Sequence, residues 1–399
     1  MKGVYAVLRF RLFLCLLTVF VLILPISATA KSVSGAESLS VTHTTLTAGQ
    51  GTRQAPPATS AASYALLDPT SGEFLAEKNA TTRRPMASTT KIMTALVALE
   101  HLSLDDTVTV PAEAVGVEGS SVYLFTGEQI TVRTLLYALL LSSANDAAAA
   151  LALHTAGSIE AFATLMNEKA AALQLHDTHF CNPHGLHDAQ HYTTARDLAR
   201  LTAAALENET FAEIVSTKRY SAPQNGTDAA RLFVNHNRLL RTLDGAVGVK
   251  TGFTKASGRC LVSAAAREGL LLIAVTLNAP SDWQDHTALL EWGFSNYTRF
   301  APSVPPLTLP VVGGTAATVT LRAATPICLT LSADHGTVTC KIEAPRFLFA
   351  GFEQGEVKGR IVYYMEGKVL AETALITAEG VATPPPPALW ERIQNFFRK

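Results

Sequence analysis

The sequence predicts an α/β fold, with a first domain of helices on an antiparallel sheet and then a small all-β domain. The first domain opens with a hairpin pattern, "SYALLDPTSGEFLAEK", in which two apolar stretches flank the turn residues 68–72. Helical patterns fill the middle of the chain, and the strand pattern "RCLVSAAAREGLLLIAVTLN" follows them. Strands from both ends of this region can therefore complete one antiparallel sheet. After Phe300, short β-type runs separated by turns predict the all-β domain.

The first thirty residues predict an export signal at 1–30. Lys2, Arg9 and Arg11 precede or open onto the apolar run "LFLCLLTVFVLILPI", and "ATA" at the end of the segment supplies the small residues of a cleavage site. The apolar run is shorter than the roughly 20 residues that span a bilayer. A permanent membrane anchor is therefore the weaker interpretation.

The rest of the chain divides by composition. Residues 31–60 are rich in Ser, Thr, Ala and Gly without an apolar period, which predicts a disordered linker. The first folded domain is expected at 61–300 and the all-β domain at 301–380, followed by a proline spacer and an amphipathic segment at 381–399. Within the first domain, the patterns predict helices from Thr90 to about Glu100, from Val132 to about Leu153 and from Ile159 to about Leu173, and a turn at Glu268 and Gly269.

Charge and cysteine content limit the partners and the compartment. Charged residues make up 16% of the 399 residues and the formal net charge is −1, so no broad field for nucleic acid exists and no nucleic-acid partner is expected. Four cysteines lie outside the signal, an even number that permits disulfides in an oxidising compartment. Cys328 and Cys340 flank a predicted hairpin and are the favoured pair, whereas buried free thiols are an equal alternative.

A serine and a lysine lie three residues apart in "RPMASTTKIMTALVALE", at the start of a predicted helix. Positions i and i+3 share one face of a helix, so the Ser88 hydroxyl and the Lys91 amine can meet. Burial and a second cation would lower the lysine pKa from about 10.4 until the neutral amine can take the serine proton. The alternative is that Ser88 only caps the helix and Lys91 is solvated.

Two further motifs bring polar groups into apolar surroundings. "LLLSSANDAAAALALH" interrupts a helical pattern with Ser143 and Asn145, which could relay a proton and hold a substrate amide. In "GAVGVKTGFTKASGRCLVSAAA", Lys250 and Thr251 could bind a carboxylate, and Gly252 lets the backbone approach a ligand closely. Each motif alone is weak, because helix caps and turns have similar compositions.

The three motifs in this order resemble those of the penicillin-recognising serine acyl-enzymes, the penicillin-binding proteins and serine β-lactamases. The chain is most similar to the low-molecular-weight penicillin-binding proteins, the serine-type D-alanyl-D-alanine carboxypeptidases of peptidase family S11. It shares with them "DPTSGEFLAEKNA", "PMASTTKIMTAL", "SSANDAAAALA", "FCNPHGLHDAQHYTTARDLA", "NHNRLL" and "GVKTGFTKASGRCLVSAA". This resemblance implies a β-lactamase/transpeptidase-like fold for the catalytic domain.

The resemblance also implies a role for each motif residue. Ser88 would be the acylated nucleophile, Lys91 its general base and Ser143 a proton relay. The expected substrate-binding residues are Asn145, Lys250, Thr251, Gly252 and Phe253, with the backbone N–H groups of Ser88 and Phe253 as the oxyanion hole. The chain departs from the family at Ala144, where glycine is common, and at Phe253, where histidine is common, and the second change puts substrate preference in question.

The resemblance implies an exported enzyme that removes the terminal D-alanine from peptidoglycan stem peptides and is trapped by β-lactams as a covalent adduct. It would work at the extracytoplasmic face of a bacterial membrane or in the cell wall, without a cofactor. One alternative is a serine β-lactamase, but "LENET" at 206–210 does not resemble the glutamate element that speeds deacylation there. The other is a catalytically silent penicillin-binding sensor, against which the complete set of catalytic residues argues.

Two remaining segments suggest binding sites. The tract "HDTHFCNPHGLHDAQHY" is rich in histidine, but no recognised zinc-ligand spacing fits it, so no metal is expected. In "ALWERIQNFFRK" the large apolar side chains fall on one helical face and the charged ones on the other. This pattern predicts a helix that lies in a membrane surface, with docking on the protein's own β domain as the alternative.

Overall fold

The structure, a computed structural model, describes residues 38–46, 52–223, 230–303 and 306–385. The predicted export signal at 1–30 and the predicted terminal helix at 388–399 lie outside the described residues. The helices, in chain order, are α1 (Lys91–His101), α2 (Val132–Leu141), α3 (Asn145–Ala156), α4 (Ile159–Ala172), α5 (Ala195–Leu206), α6 (Glu209–Ser216), α7 (Leu239–Thr242) and α8 (Asp282–Asn296). The strands are β1 (Ser38–Leu46), β2 (Ser63–Asp68), β3 (Glu73–Lys78), β4 (Thr107–Thr109), β5 (Gln129–Thr131), β6 (Arg219–Pro223), β7 (Ala230–Val234), β8 (Ala246–Thr254), β9 (Gly258–Arg267), β10 (Leu270–Leu277), β11 (Tyr297–Phe300), β12 (Leu307–Val312), β13 (Thr318–Ala323), β14 (Leu329–Ser332), β15 (Val338–Pro345), β16 (Leu348–Phe349), β17 (Val357–Met365) and β18 (Lys368–Thr377).

Five of the described strands form the antiparallel sheet of the first domain, in the order β3-β2-β10-β9-β8. The predicted α/β fold class is thereby confirmed, because strands from the start and the end of the domain pair at β2 and β10. On β10, alternate residues enter different cores: Leu272 packs toward α8, while Ile273 enters the larger core on the other face, where α5 contacts β10. Both faces are buried, which explains why β10 is a nearly continuous apolar run.

One predicted helix is wrong in its extent. The apolar pattern from Val132 to about Leu153 forms two helices, α2 and α3, because the chain turns between them. Ser143 has a left-handed backbone, with φ of 60°, and Ala144 is extended, with φ of −65° and ψ of 122°. A left-handed residue after a helix end stops the hydrogen-bond ladder, so the apolar periodicity continues although the helix does not.

Seven of the described strands form the sheet of the second domain, in the order β1-β15-β17-β18-β13-β12-β16. The predicted disordered linker at 31–60 is therefore wrong over Ser38–Leu46, which pairs antiparallel with β15. The segment "SLSVTHTTL" is rich in β-branched residues, which suit a strand once an edge is available to pair with. Farther along the same region, the Gln54 N–H donates to Asn296 Oδ1 at 2.6 Å and its carbonyl accepts from Trp292 Nε1 at 3.0 Å.

The favoured Cys328–Cys340 disulfide is not formed, and the four cysteines of the described residues are free thiols. Cys340 is buried on β15, directly opposite Tyr363 of β17. Cys328 lies just before β14, which pairs with β11 in a separate sheet. Cys340 lies within one sheet and Cys328 lies outside the strands, and the alternative of free thiols holds.

The described residues contain no single helix that is both long and apolar enough to cross a membrane. Only the bent pair of α3 and α4, taken together, reaches the length and composition of such a span.

Candidate active site

Ser88 and Lys91 lie where a short 3₁₀ turn, Ala87–Thr90, passes into α1. The turn begins with a left-handed residue, Ala87, whose φ is 48°. The Lys91 Nζ atom lies 2.9 Å from Ser88 Oγ, as the spacing of three residues predicts. Lys91 is fully buried and Ser88 has no capping bond, so the alternative of a helix cap beside a solvated lysine does not hold.

The surroundings of Lys91 favour its neutral form. Its pKa lies well below the usual value, first because the side chain is fully buried and second because Lys250 repels a further positive charge. The carboxylate of Asp146 acts in the opposite direction, but more weakly. A buried amine whose pKa is depressed can serve as a general base near neutral pH.

The contacts of Lys91 also match a neutral amine. Nζ lies 2.6 Å from Asn145 Oδ1 and 2.7 Å from the carbonyl oxygen of His184, and both of these atoms can only accept. A neutral amine donates its two hydrogens to them and keeps a lone pair for the third neighbour. That neighbour is the Ser88 hydroxyl, which can then donate its proton to Nζ.

Ser143 and Asn145 flank the turn between α2 and α3. The amide of Asn145 bridges Lys91 to the carbonyl oxygen of Glu118, which accepts from Asn145 Nδ2. Ser143 is buried, and its Oγ accepts from Lys250 Nζ at 2.9 Å. Ala144 has a negative φ that any residue adopts, so its replacement of the glycine common in the resembling family introduces no backbone strain.

Lys250, Thr251, Gly252 and Phe253 follow one another on β8, the edge strand of the sheet that faces the 3₁₀ turn. Lys250 is buried beneath the surface, where burial lowers its pKa to about 7. A Cβ on Gly252 would lie 3.1 Å from the backbone nitrogen of Ser88. Glycine therefore permits the close approach of β8 to the 3₁₀ turn Ala87–Thr90, here called the catalytic turn. Phe253 is well exposed, at 64%, at the rim.

A cavity of about 320 Å³ unites the three motifs. Of the expected residues, Ser88, Ser143, Thr251, Gly252 and Phe253 line it, whereas Lys91, Asn145 and Lys250 are buried behind its wall. Five further residues that the sequence interpretation did not assign also line it: Ser120, His236, Arg259, Asp282 and Trp283.

Arg259 is the most informative of the missed residues. Its side chain is 44% exposed, and Nε lies 3.0 Å from Oδ1 of Asp282, which is almost completely buried. Arg259 stands directly opposite Phe253 in the β8–β9 register, six residues later in the chain. If the length of the β8–β9 turn had been known, the pairing of the two strands would have placed Arg259 opposite Phe253 and therefore near the lysine-threonine-glycine motif.

The histidine-rich tract packs against the catalytic turn. The carbonyl of His184 contacts Lys91, and the imidazole of His184 has a pKa lowered to about 3 by burial and by the nearby Lys91. Among the described residues, no three His, Cys, Asp or Glu side chains are arranged to hold a metal ion. The tract therefore contributes backbone and neutral imidazole contacts to the site.

Comparisons with known proteins identify the family of this chain. The model of the Peptidase_S11 family, described as D-alanyl-D-alanine carboxypeptidase, matches residues 50–281. The D-alanyl-D-alanine carboxypeptidase DacF of Bacillus subtilis is 31% identical over 82% of this chain and 88% of its own length. DacC of Escherichia coli is 34% identical over 82% of this chain and 85% of its own length. The solved structure of penicillin binding protein 5 from Haemophilus influenzae has 30% identity and a TM-score of 0.65, covering 82% of this chain and 99% of that one.

Proposed function

Because the chain belongs to peptidase family S11 and is a serine-type D-alanyl-D-alanine carboxypeptidase, we propose that it acts through an acyl-enzyme at Ser88. Its substrate is the peptidoglycan stem peptide that ends in D-alanyl-D-alanine. The observation that carries this proposal is the contact of 2.9 Å between the Ser88 hydroxyl and the buried Lys91 amine at the wall of the cavity.

In the proposed acylation step, Lys91 Nζ takes the Ser88 proton while Oγ attacks the carbonyl carbon of the penultimate D-alanine. The N–H groups of Ser88 and Phe253 stabilise the negative charge on the carbonyl oxygen. The C–N bond then breaks, and the leaving amine takes a proton through Ser143, which Lys250 contacts at 2.9 Å. D-Alanine departs, and the shortened peptide remains as an ester on Ser88.

In the proposed deacylation step, water attacks the ester carbonyl and gives its proton to the same base. The C–O bond to Ser88 breaks, which releases the shortened peptide and restores the hydroxyl. A β-lactam would acylate Ser88 by opening its ring. Its leaving nitrogen stays tethered to the acyl group, so it cannot depart and make room for water as D-alanine does.

The position of Arg259 favours a substrate that ends in a free carboxylate. Lys250 was expected to hold this group together with Thr251, but its Nζ already donates to Ser143 Oγ and to the Thr251 carbonyl at 2.8 Å. Arg259 is the cation on the cavity wall that has both exposed surface and a permanent charge. It is thus suited to bind the carboxylate of the terminal D-alanine alongside Thr251.

We expect Arg259→Ala to raise KM for a peptide with a free terminal carboxylate by roughly 10- to 100-fold, the value of a charge-assisted hydrogen bond. The KM of the same peptide with an amidated end should change by less than about 3-fold, since no charged contact is lost. Steady-state D-alanine or D-alaninamide release measures both. Arg267→Ala is a matched control, because Arg267 lies on the same strand and also pairs with a carboxylate, that of Glu291. Equal losses for the two peptides would remove Arg259 from carboxylate recognition.

A serine β-lactamase is less well supported. Serine β-lactamases need a fast deacylation route, often a glutamate that activates water, and Glu207 and Glu209 of "LENET" are not among the residues that line the cavity. Asp282 is the acidic side chain described on the cavity wall, and Arg259 pairs with it. Measured turnover distinguishes an enzyme from a catalytically silent sensor, since only the enzyme releases D-alanine repeatedly.

The experiment that tests the proposal follows two signals in one sample of purified protein. A peptide ending in D-alanyl-D-alanine is incubated with the protein, and free D-alanine is measured over many turnovers. A fluorescent penicillin added at intervals reports the fraction of protein that can still be acylated. We expect continuous D-alanine release and one stoichiometric, slowly reversing penicillin adduct. Penicillin hydrolysis faster than peptide hydrolysis would support a β-lactamase instead.

The proposal also includes export and attachment to a membrane surface, on sequence grounds. We expect deletion of residues 388–399 to release the protein from vesicles rich in anionic phospholipid, because Arg and Lys would meet the headgroups while Trp and Phe enter the acyl boundary. Hydrolysis of a soluble peptide should stay nearly unchanged. Cosedimentation with vesicles measures the first effect, with Gln394→Ala as the control. Unaltered cosedimentation after the deletion would favour docking on the β domain.

A further inference from the structure

The loop Cys181–His191, here called the histidine loop, contacts the catalytic turn and the first turns of α1 at three points. The His184 carbonyl accepts from Lys91 Nζ at 2.7 Å. The Pro183 carbonyl accepts from Thr94 Oγ1 at 2.6 Å. The third contact is made by an imidazole, at 2.7 Å between His191 Nε2 and Thr90 Oγ1. The loop is thus packed along the segment that carries both Ser88 and Lys91.

The contacts of His191 fix its tautomer. The backbone N–H of Cys181 donates to His191 Nδ1 at 3.0 Å, so Nδ1 carries no proton. The neutral ring then has its proton on Nε2, and Nε2–H donates to Thr90 Oγ1. The Thr90 hydroxyl in turn donates to the Ala87 carbonyl at 2.8 Å. The N–H of Cys181, the Nε2–H of His191 and the hydroxyl of Thr90 thus donate in sequence, and the last acceptor is the carbonyl of Ala87, the residue before Ser88.

The end point of this chain of hydrogen bonds is strained. Ala87 has a φ of 48°, a left-handed conformation that a residue with a Cβ adopts only when its surroundings hold it there. Its carbonyl group lies against Gly185, where an added Cβ would meet the Ala87 oxygen at 1.9 Å. The histidine loop therefore approaches the Ala87 carbonyl closely at Gly185, and the Thr90 hydroxyl, which contacts His191 of this loop, donates a hydrogen bond to the same carbonyl.

We propose that His191 is a positioning residue of the reaction: acting through the Thr90 hydroxyl, it holds the left-handed turn at Ala87 that aims Ser88 Oγ at Lys91. Neither His191 nor Thr90 lines the cavity, so neither touches the substrate. The role consists of orienting the nucleophile before the substrate arrives. It rests on the proposed acyl-enzyme at Ser88.

The charged and titratable groups around His191 are compatible with a neutral ring. Asp188 and His187 lie in its own loop, His179 precedes it, and Phe180 packs edge-on against the ring with centroids 5.7 Å apart. Burial lowers the pKa of His191 to about 4, and Asp188 offsets only part of that effect. A protonated Nδ1 would face the Cys181 N–H, so the chain of donors requires the neutral form.

Two conservative substitutions at His191 separate positioning from simple loop packing. Glutamine places its amide nitrogen near the position of Nε2 and can still donate to Thr90, whereas asparagine reaches only as far as Nδ1. His191→Asn thus keeps an acceptor for Cys181 and loses the bond to Thr90. Thr90→Val and Thr90→Ser form the second pair, in which only serine keeps the hydroxyl.

The experiment measures the rate constant for acylation by a fluorescent penicillin, KM and kcat for a peptide ending in D-alanyl-D-alanine, and the melting temperature. We expect His191→Asn and Thr90→Val to slow acylation and kcat by roughly 10- to 100-fold, as for a small misplacement of a nucleophile, with KM within about 3-fold of wild type. His191→Gln and Thr90→Ser should stay within about 3-fold of wild type, since they keep the hydrogen bond. The double variant His191→Asn with Thr90→Val should lose no more than about 3-fold beyond the slower single variant, because both break one chain.

Two results would overturn the positioning role. One is equal acylation by the Gln and Asn variants of His191, and the other is a loss of rate that follows only the fall in melting temperature. If the His191 variants do not fold, the Thr90 pair decides alone, and equal rates for valine and serine would be the contrary result. Failure of the proposed function looks different, because wild-type protein would then form no adduct at all.

Discussion

Ser88→Ala is expected to abolish both the penicillin adduct and D-alanine release, with turnover lower by roughly 10⁴-fold or more, as when the nucleophile of a catalytic unit is removed. The physical reason is that no bond to the acyl group can form without Oγ. Intact-protein mass spectrometry measures the adduct, and a coupled assay measures D-alanine. Ser295→Ala, an exposed serine on α8, is the control and should behave like wild type.

The site holds two serine–lysine pairs with equal contact distances, so the contrary result would be acylation of the other serine. Ser88 lies 2.9 Å from Lys91, and Ser143 lies 2.9 Å from Lys250. Ser88 is partly exposed in the turn that leads into α1, whereas Ser143 is buried. An adduct on Ser143 in the Ser88→Ala protein would reverse the two assignments. Ser143→Ala should slow acylation but leave the adduct on Ser88.

The parts of the site that lie within one helical turn could be predicted from the sequence. The spacing of Ser88 and Lys91 is a local property, whereas the turn at Ser143 was missed because the apolar period continues through it. The hairpin patterns also predicted the pairs β2–β3 and β9–β10, because alternation and turn residues are local signals. In each case a short stretch of chain determines which groups can meet.

The remaining parts depend on long-range pairing. Arg259 reaches the cavity because of the register of β8 with β9, and the Pro183 and His184 carbonyls reach α1 through a loop more than eighty residues away. The side-chain composition of the histidine tract gives no information about its backbone carbonyls, so their contacts with α1 could not be predicted. Residues 38–46 were assigned to a linker because the composition of a strand at a sheet edge differs little from that of a polar linker.

Lys91→Ala and Lys91→Arg are both expected to lower the acylation rate by roughly 10³-fold or more at every pH, since neither side chain can accept a proton as the neutral amine does. Arginine is the sharper of the two variants. It keeps the positive charge and much of the length, but it stays protonated throughout the accessible range. A lysine that only binds substrate by its charge would be partly replaced by arginine, whereas a lysine that acts as a base would not.

The pH profile of wild-type acylation gives an independent measure of the same role. Lys91 must be neutral to act, so the rate should be low where the amine is protonated and should rise with pH through its pKa. Burial and the charge of Lys250 depress that pKa, so the rising limb should lie well below the usual lysine range. Stopped-flow acylation by a fluorescent penicillin from pH 5 to pH 10 would measure the limb, with melting temperatures recorded at each pH as the control. A rate independent of pH in wild type, or a rising limb retained in Lys91→Arg at near-normal amplitude, would show that another group accepts the Ser88 proton.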